Sequence, residues 1–284
     1  MATTPTVAQW QLARELQALR ERRGLKLTEV SKILSVRIST VSRWEAAERV
    51  PREKELRELL RHYELSEEEG EALLQLRRQA AKRGWWQSYD LEQRYGTFIG
   101  LETSAAEIEV YSGAVVTGLL QTERYARAII TGTNNAITPE DLERQIEVRR
   151  ARIHHAFSDD GPNLWVIMGE AALRQQVGGT DVMREQIDHL QELSTHPKVT
   201  LQVIPYVAGA HAGLVMPAFM ILKLPHPRLS TVYVEGYGSS NLFLDSDQDL
   251  ASHEEIFNQL RLAGVGGNML RNLLSDIRKE LQKG

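Results

Sequence analysis

Four side chains between Gly24 and Pro51 have the types and spacing to read base-pair edges: Ile38, Ser39, Ser42 and Arg43. On a helix over about Ile38–Ala46, Val41 and Trp44 share the inward side and these four take the opposite one. Arginine in that setting donates two hydrogen bonds to guanine O6 and N7, worth roughly 1–3 kcal/mol of discrimination. Serine hydroxyls donate or accept, and isoleucine packs on a thymine methyl. Arg37 and Thr40 near the helix start, with Arg49 and Arg52 just beyond its end, have the chemistry for phosphates, whose contacts hold register without reading sequence.

Other chemistries find less support. The chain has no cysteine, which removes disulfides, thiolate catalysis and Cys-based zinc sites. It lacks the His-Glu-x-x-His zinc motif, the phosphate-binding loop and the Gly-x-Ser-x-Gly elbow. His154 and His155 are adjacent, so on a helix they diverge by about 100° and share a metal poorly. Glu102, Glu107 and Glu109 are candidates for acid–base work, but solvated helical charge accounts for them more simply. The expectation is a binding protein with no catalytic residue, no metal and no cofactor.

The elements that must hold the first four residues are helices. Thr6-Val7-Ala8-Gln9 is a capping-box pattern, with Trp10, Leu12, Leu16 and Leu19 following at helical spacing and Gly24 as the stop. Short helices are expected over about Leu27–Leu34 and Ile38–Ala46, with Ser35-Val36-Arg37 as the turn between them. Pro51 starts a fourth helix and Ser66 caps a fifth. Val30, Ile33 and Val36 face inward with Val41 and Trp44. The first domain is therefore all-α with five helices, residues 1–83.

Gly84 interrupts the pattern, and residues 84–284 read as an α+β domain. Helices are expected at 101–110, 121–131, 139–157, 181–194, 247–262 and 267–281. Strands are expected over Asn163–Met168, Val199–Pro205, Ala218–Leu224 and Thr231–Glu235. Leu119, Leu120, Tyr125 and Ile129 read as core. Trp85, Trp86, Tyr89 and Tyr95 make an aromatic hinge segment, suited to packing or to a site for an effector or partner segment. His211, between glycines on a loop, is a weaker candidate for the same role.

Charge is unevenly spread over the 284 residues. Residues 1–61 hold 13 Lys and Arg against 8 Asp and Glu, a net +5, and the rest hold 21 against 30, a net −9. A basic end on an acidic body is the layout of a DNA-reading head with a separate regulatory domain. The most apolar run, Ala212–Leu222, is broken by Pro217 and falls far short of the roughly 20 residues of a membrane span. With no secretory signal pattern at Met1–Ala8, the expected location is cytoplasmic, at the nucleoid when bound to DNA.

The run Leu19–Leu25 through Val41–Glu45 and Pro51 resembles the phage-repressor-type (Xre-family) helix-turn-helix. The resemblance implies that Arg20 and Glu45 form an ion pair tying the first helix to the end of the third. Three departures stand out: Leu27 where glutamine is usual, Ala46-Ala47 in place of the usual loop residues, and Arg37 where a Ser or Thr N-cap is common. They point to fewer phosphate contacts than usual.

Residues 85–283 resemble the second domain of actinobacterial WhiJ-like and antitoxin-like Xre regulators. The likeness rests on Gly118–Thr122 with Tyr125–Ala128, Glu170–Arg174 with Met183–Ile187, and Leu201–Pro205 with Gly209–Gly213 and Phe219. Thr117, for a usual proline, and Gly266-Gly267 depart from it. The resemblance implies a transcriptional regulator that binds a double-stranded DNA operator, with a small protein partner encoded nearby. The alternative it carries is an antitoxin-like protein that sequesters such a partner, with DNA binding as autoregulation. A homodimer is expected, because such modules bind half-sites roughly 34–36 Å apart; the last helix, through Leu270, Leu273, Leu274 and Ile277, is a candidate contact.

Overall fold

Thr6 opens the first helix as its spacing predicts. Its hydroxyl accepts from the Gln9 amide, and the Gln9 side chain accepts from the Thr6 amide in return. The helices that follow are α1 (Val7–Arg22), α2 (Leu27–Ile33), α3 (Ile38–Glu45), α4 (Glu53–His62) and α5 (Glu67–Ala80). The computed structural model describes residues 6–82, 84–89, 91–225, 230–236, 241–244 and 246–282, except the side chains of Gln93 and Arg94.

The first four helices end in one backbone device. At each end a residue in the left-handed region donates to the carbonyl three back, and the next residue donates to the carbonyl five back; at α1 these are Gly24 to Glu21 and Leu25 to Arg20. This is the Schellman arrangement, which satisfies carbonyls the helix leaves open. The left-handed residues are Gly24, Ser35, Ala47 and Glu64, at φ 66°, 51°, 57° and 49°. Only the first is glycine, so three stops carry a side chain where one is disfavoured by roughly 1–2 kcal/mol.

The core beneath them joins Leu12, Leu16 and Leu19 of α1 to Val30, Val41, Trp44, Leu56 and Tyr63. Ile33 and Val36 pack against it only partly buried. Trp10 corrects the apolar stripe read for α1: it is 36% exposed, one position off the buried row Leu12, Leu16 and Leu19. Arg20 and Glu45 form the expected pair, with Nε to Oε1 at 2.7 Å and Nη2 to Oε2 at 2.8 Å. Arg20 Nη1 also donates to the Leu25 carbonyl at 2.9 Å. Burial, then the Glu45 charge, pushes the Tyr63 phenol up to about 12.

Contact density divides the chain into units of residues 1–101 and 102–284, where the sequence suggests a change at 83/84. A short 3-10 turn at Trp85–Ser88 precedes α6 (Gln93–Ser104). The second unit is built on β1 (Glu107–Ser112), β2 (Asn163–Gly169), β3 (Val199–Ile204), β4 (Phe219–Lys223), β5 (Thr231–Val234) and β6 (Leu242–Leu244). They form a mixed sheet in the order β3-β2-β1-β4-β5-β6. β1, β2 and β3 are parallel, while β4, β5 and β6 join antiparallel. Its helices are α7 (Glu123–Thr133), α8 (Pro139–Ala156), α9 (Ala171–Arg174), α10 (Thr180–Leu193), α11 (Asp247–Ala263) and α12 (Gly267–Glu280).

The helix expected at 101–110 is corrected: α6 ends at Ser104 and β1 begins at Glu107. Ile108 and Val110 alternate with Glu107, Glu109 and Tyr111, a period of two that helix-favouring glutamates disguise. β1 is central, between β2 and β4, so even Glu109 is buried. Lys223 meets Glu109 at 2.9 Å and Glu107 at 3.0 Å. Burial raises the Glu109 pKa although Lys223 opposes it. Glu102 is buried too, bidentate to Arg152 of α8 at 2.8 and 2.7 Å. The solvated-helix reading of Glu102 and Glu109 is therefore overturned. Leu270, Leu274 and Ile277 are buried within their own unit, where α12 packs on α10 and β3, which removes them as dimer contacts. No helix among the described residues is long and apolar enough to cross a membrane.

Two outcomes follow for stability. The Arg152 and Glu102 side chains are 5% and 4% exposed, so Arg152→Ala leaves the buried Glu102 carboxylate without its bidentate partner and takes a nearby positive charge from Glu235. Urea unfolding should show a loss of about 3–5 kcal/mol, of which the Arg152→Met, Glu102→Leu double variant recovers a part, because Arg152 also offsets the charge of Glu235. Tyr63 stays protonated in the folded chain up to about 12 but ionises near its usual 10 when unfolded. The unfolded state thus loses the proton first, and stability falls as pH rises from about 10 to 12, by up to about 2 kcal/mol. Tyr63→Phe should flatten that decline in denaturant titrations repeated across the range.

Candidate nucleic-acid interface

α3 presents two unlike sides. Val41 and Trp44 are buried in the helical core, whereas Ile38, Ser39, Ser42 and Arg43 are exposed, Ile38 at 48%. Arg37, Arg49 and Arg52 are exposed as well, and Thr40 is half-buried. An isoleucine held in water beside two serines and an arginine has no internal packing reason to be there. The sequence-derived set therefore lies together on α3 and its flanks.

Position along the chain gives these cations a second shared property. The N-cap residues of α2, α3 and α4 are Lys26, Arg37 and Arg52, and none makes a side-chain capping hydrogen bond. Ser, Thr, Asp and Asn are favoured there, and a positive charge opposes the helix dipole. At α2 and α4 a glutamate one turn on compensates: Glu29 accepts from the Lys26 amide and Glu55 from the Arg52 amide, both at 2.7 Å. α3 has no such glutamate, so its first turn stays open. Lys26 was missed in the sequence reading, though its kinship with Arg37 and Arg52 is visible once the helix starts are known. Leu27, the departure beside it, packs partly buried against the core.

Arg43 ends the exposed row. Its carbonyl accepts the Glu48 and Arg49 amides at 2.9 and 3.2 Å, closing α3 around the left-handed Ala47. Its guanidinium lies 3.8 Å from the Glu48 carboxylate, with both side chains open to solvent. A pair so long and wet is weak and yields readily to a better anion. Because Arg20 grips Glu45, the last residue of α3, the helix is also fixed against α1 just beyond Arg43.

The weaker candidates fall elsewhere. Trp86 is buried, and a side chain on Gly100 would meet its ring at 2.9 Å, so it serves packing within the first unit. Trp85 lies edge-on to both Trp86 and Tyr89, with ring centres 6.0 Å apart in each case. Tyr95 stacks on Phe98. His211 belongs to the second unit, where it lines a cleft of about 490 Å³ with Tyr111, Glu170 and Tyr206. Leu119, Leu120 and Tyr125 are buried as expected. No cluster of three metal-ligating side chains occurs among the described residues.

Comparison with known families falls on both units. Residues 11–74 match the model of a helix-turn-helix domain, spanning α2, the turn at Ser35 and α3. That is the fold of DNA-binding regulators, and it accords with the exposed row on the second helix of the pair. Neither the curated proteins nor the solved structures hold a match to the chain. Residues 95–274 match a domain of unknown function, DUF5753, and on that match, which takes in most of its length, the chain belongs to the DUF5753 family.

Proposed function

We propose that this protein is a sequence-specific transcriptional regulator that docks α3 in the major groove of a double-stranded DNA operator. The observation that carries the reading is the solvent-facing row Ile38, Ser39, Ser42 and Arg43 on a helix locked to the core. In this role Arg43 reads a guanine, the serines and Ile38 read neighbouring bases, and Arg37, Thr40, Arg49, Arg52 and Lys26 hold phosphates. Basic residues at three successive helix starts break the local capping rule, and such breaks concentrate at functional sites. A phosphate at the open first turn of α3 would supply the negative charge that the helix end lacks.

We assign residues 1–83 to the DNA-binding domain and 84–284 to a domain for dimerisation and for effector or protein-partner binding. The matches, which end at 74 and begin at 95, support that division. Both the Xre-type character of the head and the WhiJ-like character of the body are part of this reading. Glu102 and Glu109 are each committed to an ion pair, which favours binding over catalysis as the body's task. Such a regulator works in the cytoplasm, at the nucleoid.

The test is fluorescence anisotropy on an operator selected from random DNA. Arg43→Ala should cost roughly 1–3 kcal/mol and relax preference at one base position. Lys26→Ala and Arg49→Ala should weaken all sequences alike, each reducing the slope of log affinity against log salt by about one. If none of the three changes affinity, α3 is not the element that docks.

A further inference from the structure

The second unit holds a cleft that the DNA reading leaves unused. β1, β2 and β3 run parallel and end together at Ser112, Gly169 and Ile204. The segments beyond them, with the stretch that enters β4, enclose about 490 Å³. Diverging loops at the carboxyl ends of parallel strands leave a crevice where α/β sheets bind ligands. The volume lies within the ~300–1,000 Å³ typical of small-molecule sites.

Its walls are mainly apolar, with Tyr111, Ile204, Leu214 and Met216 among them. Backbone comes close to the tyrosine at one wall: a side chain on Gly213 would lie 2.2 Å from the Tyr111 hydroxyl, which instead donates to the Gly213 carbonyl at 2.8 Å. The polar groups are few. Glu170, 7% exposed at its side chain, accepts from the Tyr206 amide at 2.7 Å and from Arg174 at 2.5 Å. Each carboxylate oxygen has room for a second donor. Arg174, which also meets the exposed Glu280 at 2.6 Å, stands behind the wall and is not among the residues that line the cleft, so Glu170 is the charged group the cleft presents. The His211 Nδ1 is buried there without a hydrogen-bond partner among the described residues. Buried polar atoms left so are costly. Among the described residues that line the cleft there is no lysine or arginine.

We infer that this cleft binds a small amphiphilic amine, with its ammonium group at Glu170 and its apolar part against Tyr111, Leu214 and Met216. An anionic ligand meets a carboxylate and no lining cation, so phosphorylated and carboxylic effectors are disfavoured. This deepens the effector-binding part of the proposed function by naming the site and the ligand class.

The experiment is calorimetric titration of the full chain, without DNA, with octylamine, 1-octanol and octanoate, which share a tail and differ in head charge. Octylamine should bind at one saturable site about tenfold or more tighter than octanoate, the scale of one charge-assisted hydrogen bond. Glu170→Gln should erase that preference and leave octanol binding within about twofold. Ala114 is exposed on the cleft wall, so Ala114→Phe should block all three ligands without disturbing the core. Equal or tighter binding of octanoate, a preference that survives Glu170→Gln, or binding that survives Ala114→Phe overturns the assignment. Because DNA is absent, failure here leaves the α3 reading standing, and failure of the Arg43→Ala test leaves this one standing.

Discussion

A short helix can read DNA only if it is held more firmly than its own length allows. α3 has eight residues, about two turns, and alone would be marginal in water. Arg20 provides the hold. Its guanidinium meets both Glu45 oxygens and the Leu25 carbonyl, and so joins α1, the turn after α1 and the last residue of α3 through one planar group. A lysine would meet these acceptors as a point charge with no fixed orientation, whereas the planar arginine fork fixes angles as well as distances. With Val41 and Trp44 buried on one side and this clamp at the end, the exposed row can turn only if the core turns with it.

That clamp explains what the rest of the head tolerates. The left-handed Ser35, Ala47 and Glu64, and the basic N-caps Lys26, Arg37 and Arg52, are each unfavourable by local rules. They persist because tertiary contacts over-determine the helix positions, and strain of this kind survives only where surrounding structure enforces it. Ala47 illustrates the balance. Its conformation suits glycine, yet its methyl is buried in the core, and that burial offsets part of the backbone cost.

Local signals and long-range ones were legible to different degrees. Capping residues at Thr6 and Ser66 put helix beginnings in the sequence, because a cap is a contact between residues three apart. The exposed row on α3 was legible for the same reason, since 3.6-residue periodicity needs no partner. Stops at Ser35 and Glu64 carried no glycine to announce them. β1 was hidden because its partners lie 56 and more residues away in sequence, and its buried Glu109 is paired with Lys223 rather than with water. β6 was missed as a three-residue edge strand. The cleft was the least legible of all, since Ser112, Gly169 and Ile204 converge only through the register of three parallel strands.

The energetics of recognition argue for a division of labour between the two regions. One bidentate arginine contributes roughly 1–3 kcal/mol of discrimination, and serine and isoleucine contacts contribute less. Specific sites are typically about 4–10 kcal/mol tighter than non-specific DNA. A single α3 carrying one such arginine falls short of that range on its own. Two copies acting on paired half-sites double the discrimination, so the proposed operator binding depends on a device that holds two heads at fixed spacing. In the proposed function that device is assigned to the acidic body, whose net negative charge would keep it from competing for the phosphates that the head meets. On this reading the body sets whether two weak readers act as one strong one, and a ligand that altered the body's pairing would change DNA affinity without touching α3.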